Sequence, residues 1–101
     1  MLFVAILTHS PENCFMRPEN AKAAKEASEI FEKMEVTAKK LGVKLIGDYV
    51  NMNEHTLYFI FETDNYAAVS KVLGPPLLTY HTAKITPVTR MKEAVARLPK
   101  K

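Results

Sequence analysis

A chain of 101 residues with net charge +3, 48% hydrophobic and 25% charged, has the balance of one ordinary globular domain covering residues 1–101. Its single cysteine, Cys14, excludes an internal disulfide. Lys and Arg are scattered, with Arg97, Lys100 and Lys101 crowding the C-terminal end, and no strand interleaves aromatic with basic residues. The charge therefore reads as solubility and argues against nucleic acid as a partner.

The apolar run Leu2 to Leu7 is too short to cross a membrane and has no basic residue before it, as a signal peptide would. It predicts a strand from Leu2 to His9, no membrane partner and a cytoplasmic location. Phe3, Ala5 and Leu7 make one apolar face of that strand, and Val4 and Ile6 make the other, so both faces should be covered. Pro11 and Pro18 mark the following segment as a loop. From about Asn20 to Leu41, Ala27, Ile30, Phe31, Met34, Ala38 and Leu41 recur at helical three-and-four spacing, and Gly42 supplies the stop.

Val43 to Met52 predicts a second strand, Asn51–Glu54 a turn, and His55 to Glu62 a third strand. Asp64 can cap a second helix, Asn65 to Leu73, with Tyr66, Val69, Val72 and Leu73 inward. Gly74-Pro75-Pro76 ends it. After the short segment Leu77–Tyr80, His81 to Val88 predicts a fourth strand, which Pro87 assigns to a sheet edge. Arg90 to Leu98 predicts a terminal helix with Met91, Val95 and Leu98 on one side.

The order βαββαβ plus a C-terminal helix predicts an α+β fold of ferredoxin-like plan, an antiparallel sheet in the order 4-1-3-2 with both helices on one face. The other face would then leave Val4, Ile6, Tyr58, Ile60, Ile46 and Val50 uncovered. A patch of that size asks for a partner, and a second copy packed sheet against sheet, a homodimer, is the expected one.

With this layout, a first strand ending in His9, a long helix, and the late strand motif Ile85-Thr86-Pro87-Val88, the chain resembles small members of the dimeric α+β barrel superfamily over about residues 2 to 90. The resemblance implies a cleft between sheet and helices as the site. Members of that superfamily include monooxygenases, haem-degrading enzymes and isomerases. No catalytic residue of theirs maps onto this chain.

Three histidines, His9, His55 and His81, stand at strand ends. In the predicted topology all lie on one sheet edge, on neighbouring strands, and alternation turns each toward the helix-covered face. Neutral imidazole ligates zinc, iron, nickel and copper, and converging imidazoles with an open fourth position make a metal site. The expectation is a divalent transition metal, zinc or iron, held by His9, His55 and His81. The competing reading is of half-buried strand-end histidines bonded to backbone carbonyls.

Cys14 lies in the same loop cluster as a further metal ligand or nucleophile, or as an ordinary loop cysteine. Glu12 and Glu54 can serve as acceptors for an imidazole N–H or as a general base, or be solvated turn carboxylates. Tyr49 and Phe59 read as cleft lining, or as core. Leu73 to Leu78 reads as a pocket cover, or as a rigid connection. Phosphate loops, Ser-His-Asp spacing and dinucleotide fingerprints are lacking. The functional expectation is a small metal-binding protein, with catalysis left open. The alternatives are a metal-free ligand-binding or monooxygenase-like module for a small molecule, and a structural dimerisation domain.

Overall fold

The computed structural model describes residues 1–99; Lys100 and Lys101, counted above in the basic C-terminal cluster, lie outside the described residues. Four strands, β1 (Leu2–Thr8), β2 (Lys44–Asn51), β3 (Thr56–Glu62) and β4 (Thr82–Val88), form one antiparallel sheet in the order 2-3-1-4. The helices are α1 (Ala21–Lys40), α2 (Tyr66–Leu73), the short α3 (Leu77–Tyr80) and α4 (Met91–Ala96). This is the predicted ferredoxin-like arrangement, with β4 at an edge as Pro87 requires.

Alternation puts Phe3, Ala5 and Leu7 of β1 and Phe59 and Phe61 of β3 on one face, where all are buried. Ala27, Met34 and Ala38 of α1 and Val69, Val72 and Leu73 of α2 close over them in one core. Phe31, Phe59 and Phe61 run through it as near-parallel rings, 6.3 and 5.9 Å between successive centroids. The helix stop at Gly42 is confirmed by its φ of +75°, a left-handed conformation that glycine adopts without the Cβ penalty.

Several expectations are corrected by local chemistry. Asp64 does not cap α2. The Thr63 hydroxyl accepts from the Asn65 N–H at 3.1 Å, while Asp64 meets the N-terminal ammonium. Leu41 and Tyr66 do not point into the core; both are exposed, Tyr66 touching Phe3 edge-on. Leu77–Tyr80 is a helical turn that inserts Leu77 fully into the core. The segment after β1 holds two single turns of 3-10 helix, at Pro11–Asn13 and Pro18–Asn20, each opened by proline.

The largest correction concerns β2. A bulge falls between Leu45 and Gly47, leaving Ile46 without a cross-strand partner. Beyond it the facing reverses: Val50 stands opposite Leu57, on the helix-covered side, and Tyr49 opposite Tyr58, on the open side. Val50 therefore leaves the predicted open-face set and Tyr49 joins it. Val4, Ile6, Tyr58 and Ile60 stay on the open face, only half-buried although they belong to the two central strands. The terminal helix α4 ends at Ala96, short of the expected Leu98; Met91 and Val95 on it and Leu98 beyond it are all exposed in the chain. Among the described residues, no helix is long and apolar enough to cross a membrane.

Candidate metal site

The register of the sheet brings the three histidines into one row. Thr8 of β1 stands opposite Thr56 of β3 and Thr82 of β4. One residue further, His9 faces His55 on one side and His81 on the other, and the His9 N–H extends the ladder to the His55 carbonyl at 3.1 Å. All three rings take the side of Leu7 and Leu57, at the open end of the core.

Their hydrogen bonds run in a single chain. His81 Nδ1 lies 2.7 Å from the Leu77 carbonyl, His9 Nδ1 2.9 Å from His81 Nε2, and His55 Nδ1 3.2 Å from His9 Nε2. The carbonyl can only accept, and that fixes every tautomer. His81 must carry its proton on Nδ1, leaving Nε2 as acceptor for the His9 Nδ1–H. His9 then presents its Nε2 lone pair to the His55 Nδ1–H. The segment Leu73–Leu78 thus acts on the site through a backbone oxygen: the Leu77 carbonyl anchors the row from beneath.

For His9 and His81 the surroundings favour the neutral ring. Burial holds the pKa of His9 below the ordinary imidazole value, and the repulsion expected from charge on His81 and His55 lowers it further. Burial also lowers His81, against a smaller upward pull from its bond to Leu77. A histidine depressed in the folded state takes up its proton more readily once unfolded, near pH 6.5. The stabilisation is therefore complete above about pH 6.5 and lost as pH falls through and below that value. Urea midpoints of metal-free protein should drop between pH 7.5 and 5.5, and His81→Gln should flatten the decline. An equally steep decline in that variant would place the titration elsewhere.

His55 does not open β3 as expected. It sits in the preceding turn with φ of +52°, a left-handed conformation uncommon for a residue with a Cβ. Its N–H bonds the Met52 carbonyl, and the turn is tied by the Asn51 side chain to both the Glu54 N–H and the Glu54 carboxylate. Removing the imidazole in either of two ways isolates this backbone strain. His55→Gly should be more stable than His55→Ala by about 1 kcal/mol in urea unfolding, because only alanine keeps a Cβ at positive φ. Equal stabilities would mean that the turn relaxes.

Cys14 comes from the loop between the two 3-10 turns. Asn20 Nδ2 holds this loop by donating to the Glu12 and Cys14 carbonyls, each at 2.8 Å. Phe15 packs against the rings of His9, His81 and Tyr80, with centroids 6.4, 5.5 and 5.5 Å away. As a result Cys14, His9 and His55 each bring a ligand atom within 4.8 Å of the others. His81 is outside that group, with both ring nitrogens engaged. Glu12 and Glu54 make no hydrogen bond to an imidazole among the described residues.

Beside this cluster opens a cavity of about 380 Å³, lined by His9, Cys14 and His55 together with Phe31, Leu57 and Phe59. Tyr49 also borders it, although its ring folds back over Gly47, where a Cβ would come within 2.9 Å of that ring. Phe15, Met16, Val50 and Met52 complete the apolar part of the lining and escaped the sequence reading. One signal was available: Phe15-Met16 is an apolar pair in a proline-bounded loop that needs no apolar residue for its turns.

The model of one protein family, described as Domain of unknown function (DUF3303), matches residues 1–101, and the chain belongs to that family. A search of curated proteins returned no match.

Proposed function

We propose that this chain binds a divalent transition metal through His9, Cys14 and His55, with His81 as the outer group that orients His9. The carrying observation is the convergence of those three ligand atoms within 4.8 Å at the mouth of a cavity. The His9 Nε2 to His55 Nδ1 distance of 3.2 Å supports it. Two imidazole nitrogens on one tetrahedral zinc stand about 3.3 Å apart, from Zn–N bonds of about 2.0–2.1 Å. An ion there replaces the proton shared by the two rings, so binding releases a proton and weakens in acid.

Two imidazoles and a thiolate suit zinc first and iron second. Three protein ligands leave a fourth position for water or substrate, the pattern of a catalytic rather than a structural zinc site. His81 then does for His9 what a carboxylate does in many zinc sites: it accepts the distal N–H and keeps the ligating nitrogen unprotonated. The initial set of His9, His55 and His81 is thereby revised, with Cys14 promoted to ligand and His81 moved outward.

The competing reading also has an observation behind it, since the hydrogen-bond chain from Leu77 to His55 closes without any ion. In that case the module holds a small molecule and no metal. Elemental analysis decides. Protein made without a polyhistidine tag and dialysed against micromolar zinc should retain one ion per chain; retention of a negligible fraction would overturn the metal reading.

We propose, further, that the half-buried face of Val4, Ile6, Tyr58 and Ile60 is closed by a second copy, as in a dimeric α+β barrel. Its support is that large apolar side chains of the two central strands lack full cover within the chain.

A further inference from the structure

We infer that the cavity beside the histidine row binds a small planar aromatic alcohol, its ring among the phenylalanines and its hydroxyl on His55. This stands apart from the metal reading, and either can fail alone. A volume of about 380 Å³ lies at the small end of the roughly 300–1,000 Å³ usual for small-molecule sites. The inner wall is apolar, made of Phe31, Leu57 and the buried Phe59, and aromatic walls favour flat rings in edge or offset contact. At the mouth, Met16, Val50 and Met52 are 74%, 55% and 57% exposed. Three large apolar side chains left in water around one opening are costly unless something covers them, and methionine is well suited to adapt to a flat ligand.

The polar end selects the head group. His55 Nε2 has no hydrogen-bond partner among the described residues, and His55 lines the cavity. In the metal-free tautomer set this nitrogen is an acceptor. With an ion on Nδ1 it carries the proton and is a donor. A hydroxyl satisfies both states because it donates and accepts. A carboxylate only accepts, and it would also meet the negative Asp48 on the rim. The strained backbone of His55 is consistent with a ring held where a ligand needs it.

The test uses 2-naphthol, 2-methylnaphthalene and 2-naphthoate as probes, titrated by fluorescence and calorimetry into metal-free and zinc-dialysed protein. 2-Naphthol should bind saturably in both, about tenfold tighter than 2-methylnaphthalene, the ratio that one added hydrogen bond gives. 2-Naphthoate should bind more weakly than 2-naphthol. Val50→Trp and Met52→Trp, at exposed positions, should each weaken 2-naphthol at least tenfold while circular dichroism stays native. His55→Gly should keep ring binding and lose the hydroxyl preference. The inference is overturned if 2-naphthol fails to saturate in either form, or if neither tryptophan variant affects it. It is also overturned if the hydroxyl-free ring binds equally well. Zinc content measured on the same samples reports separately on the metal site.

Discussion

Ile60→Lys should convert the protein to monomers. Ile60 lies near the middle of the open sheet face, opposite Val4 on one side and Gly47 on the other. In a single chain it is half-buried, so a lysine there can lay its methylenes along the sheet and keep its ammonium in water. Across a sheet-to-sheet interface no such escape exists. An unpaired ammonium buried in an apolar layer costs several kcal/mol, and each 1.4 kcal/mol is tenfold in dissociation constant. Sedimentation equilibrium should show the wild type as a dimer at micromolar concentration and the variant as a folded monomer, weakened at least 100-fold in association. A wild type that is monomeric at those concentrations sinks the sheet-to-sheet dimer. A variant that is still dimeric moves the interface to another surface, the exposed apolar side of α4 being next to test.

Zinc affinity should divide the four residues of the cluster into two classes. His9→Ala, Cys14→Ala and His55→Ala each remove an atom bound to the ion and should lower affinity by well over 100-fold. His81→Ala removes only the acceptor that orients His9, and losses of that kind run about 10–100-fold. His81→Gln should fall between His81→Ala and the wild type, because its amide oxygen can reach the place of the imidazole Nε2 and accept the His9 N–H. Competition with a fluorescent zinc chelator measures these constants. Cobalt adds a signature that a merely structural role would not move. The wild type should show a thiolate-to-cobalt charge-transfer band, and Cys14→Ser should lose it while keeping its fold. Equal losses at His81 and His9 would restore the three-histidine set. A full affinity in Cys14→Ala would reduce the thiol to a bystander.

The histidine row was legible because it rests on two rules of high reliability. Side chains alternate along a strand, and antiparallel partners in a ferredoxin-like sheet lie at predictable edges. His9, His55 and His81 each sit one residue beyond a paired threonine, so topology and alternation together carry all three to one edge and one face. What alternation cannot supply is the direction of a ring nitrogen. The order Leu77, His81, His9, His55 depends on a backbone carbonyl from a helical turn that the sequence showed only as a short segment before β4. That carbonyl sets the tautomers, and the His81 Nε2 lone pair is then taken up by the His9 N–H.

Sequence alone determined the α+β class, the strand order, the apolar faces of β1 and β3, the helix stop at Gly42 and the edge position forced by Pro87. These follow from local rules: periodicity, proline's missing N–H, glycine's freedom at positive φ. Tertiary structure decided the rest. The bulge at Ile46 turned Val50 to the helix-covered side of the sheet and Tyr49 to the open side, since one extra residue in a strand inverts the facing of everything beyond. The loop around Cys14 reached the histidines only because Asn20 tied its carbonyls and Phe15 packed on the His9 and His81 rings. Such contacts join residues whose separation in the chain carries no period, and a pattern without a period cannot be read before the chain has folded.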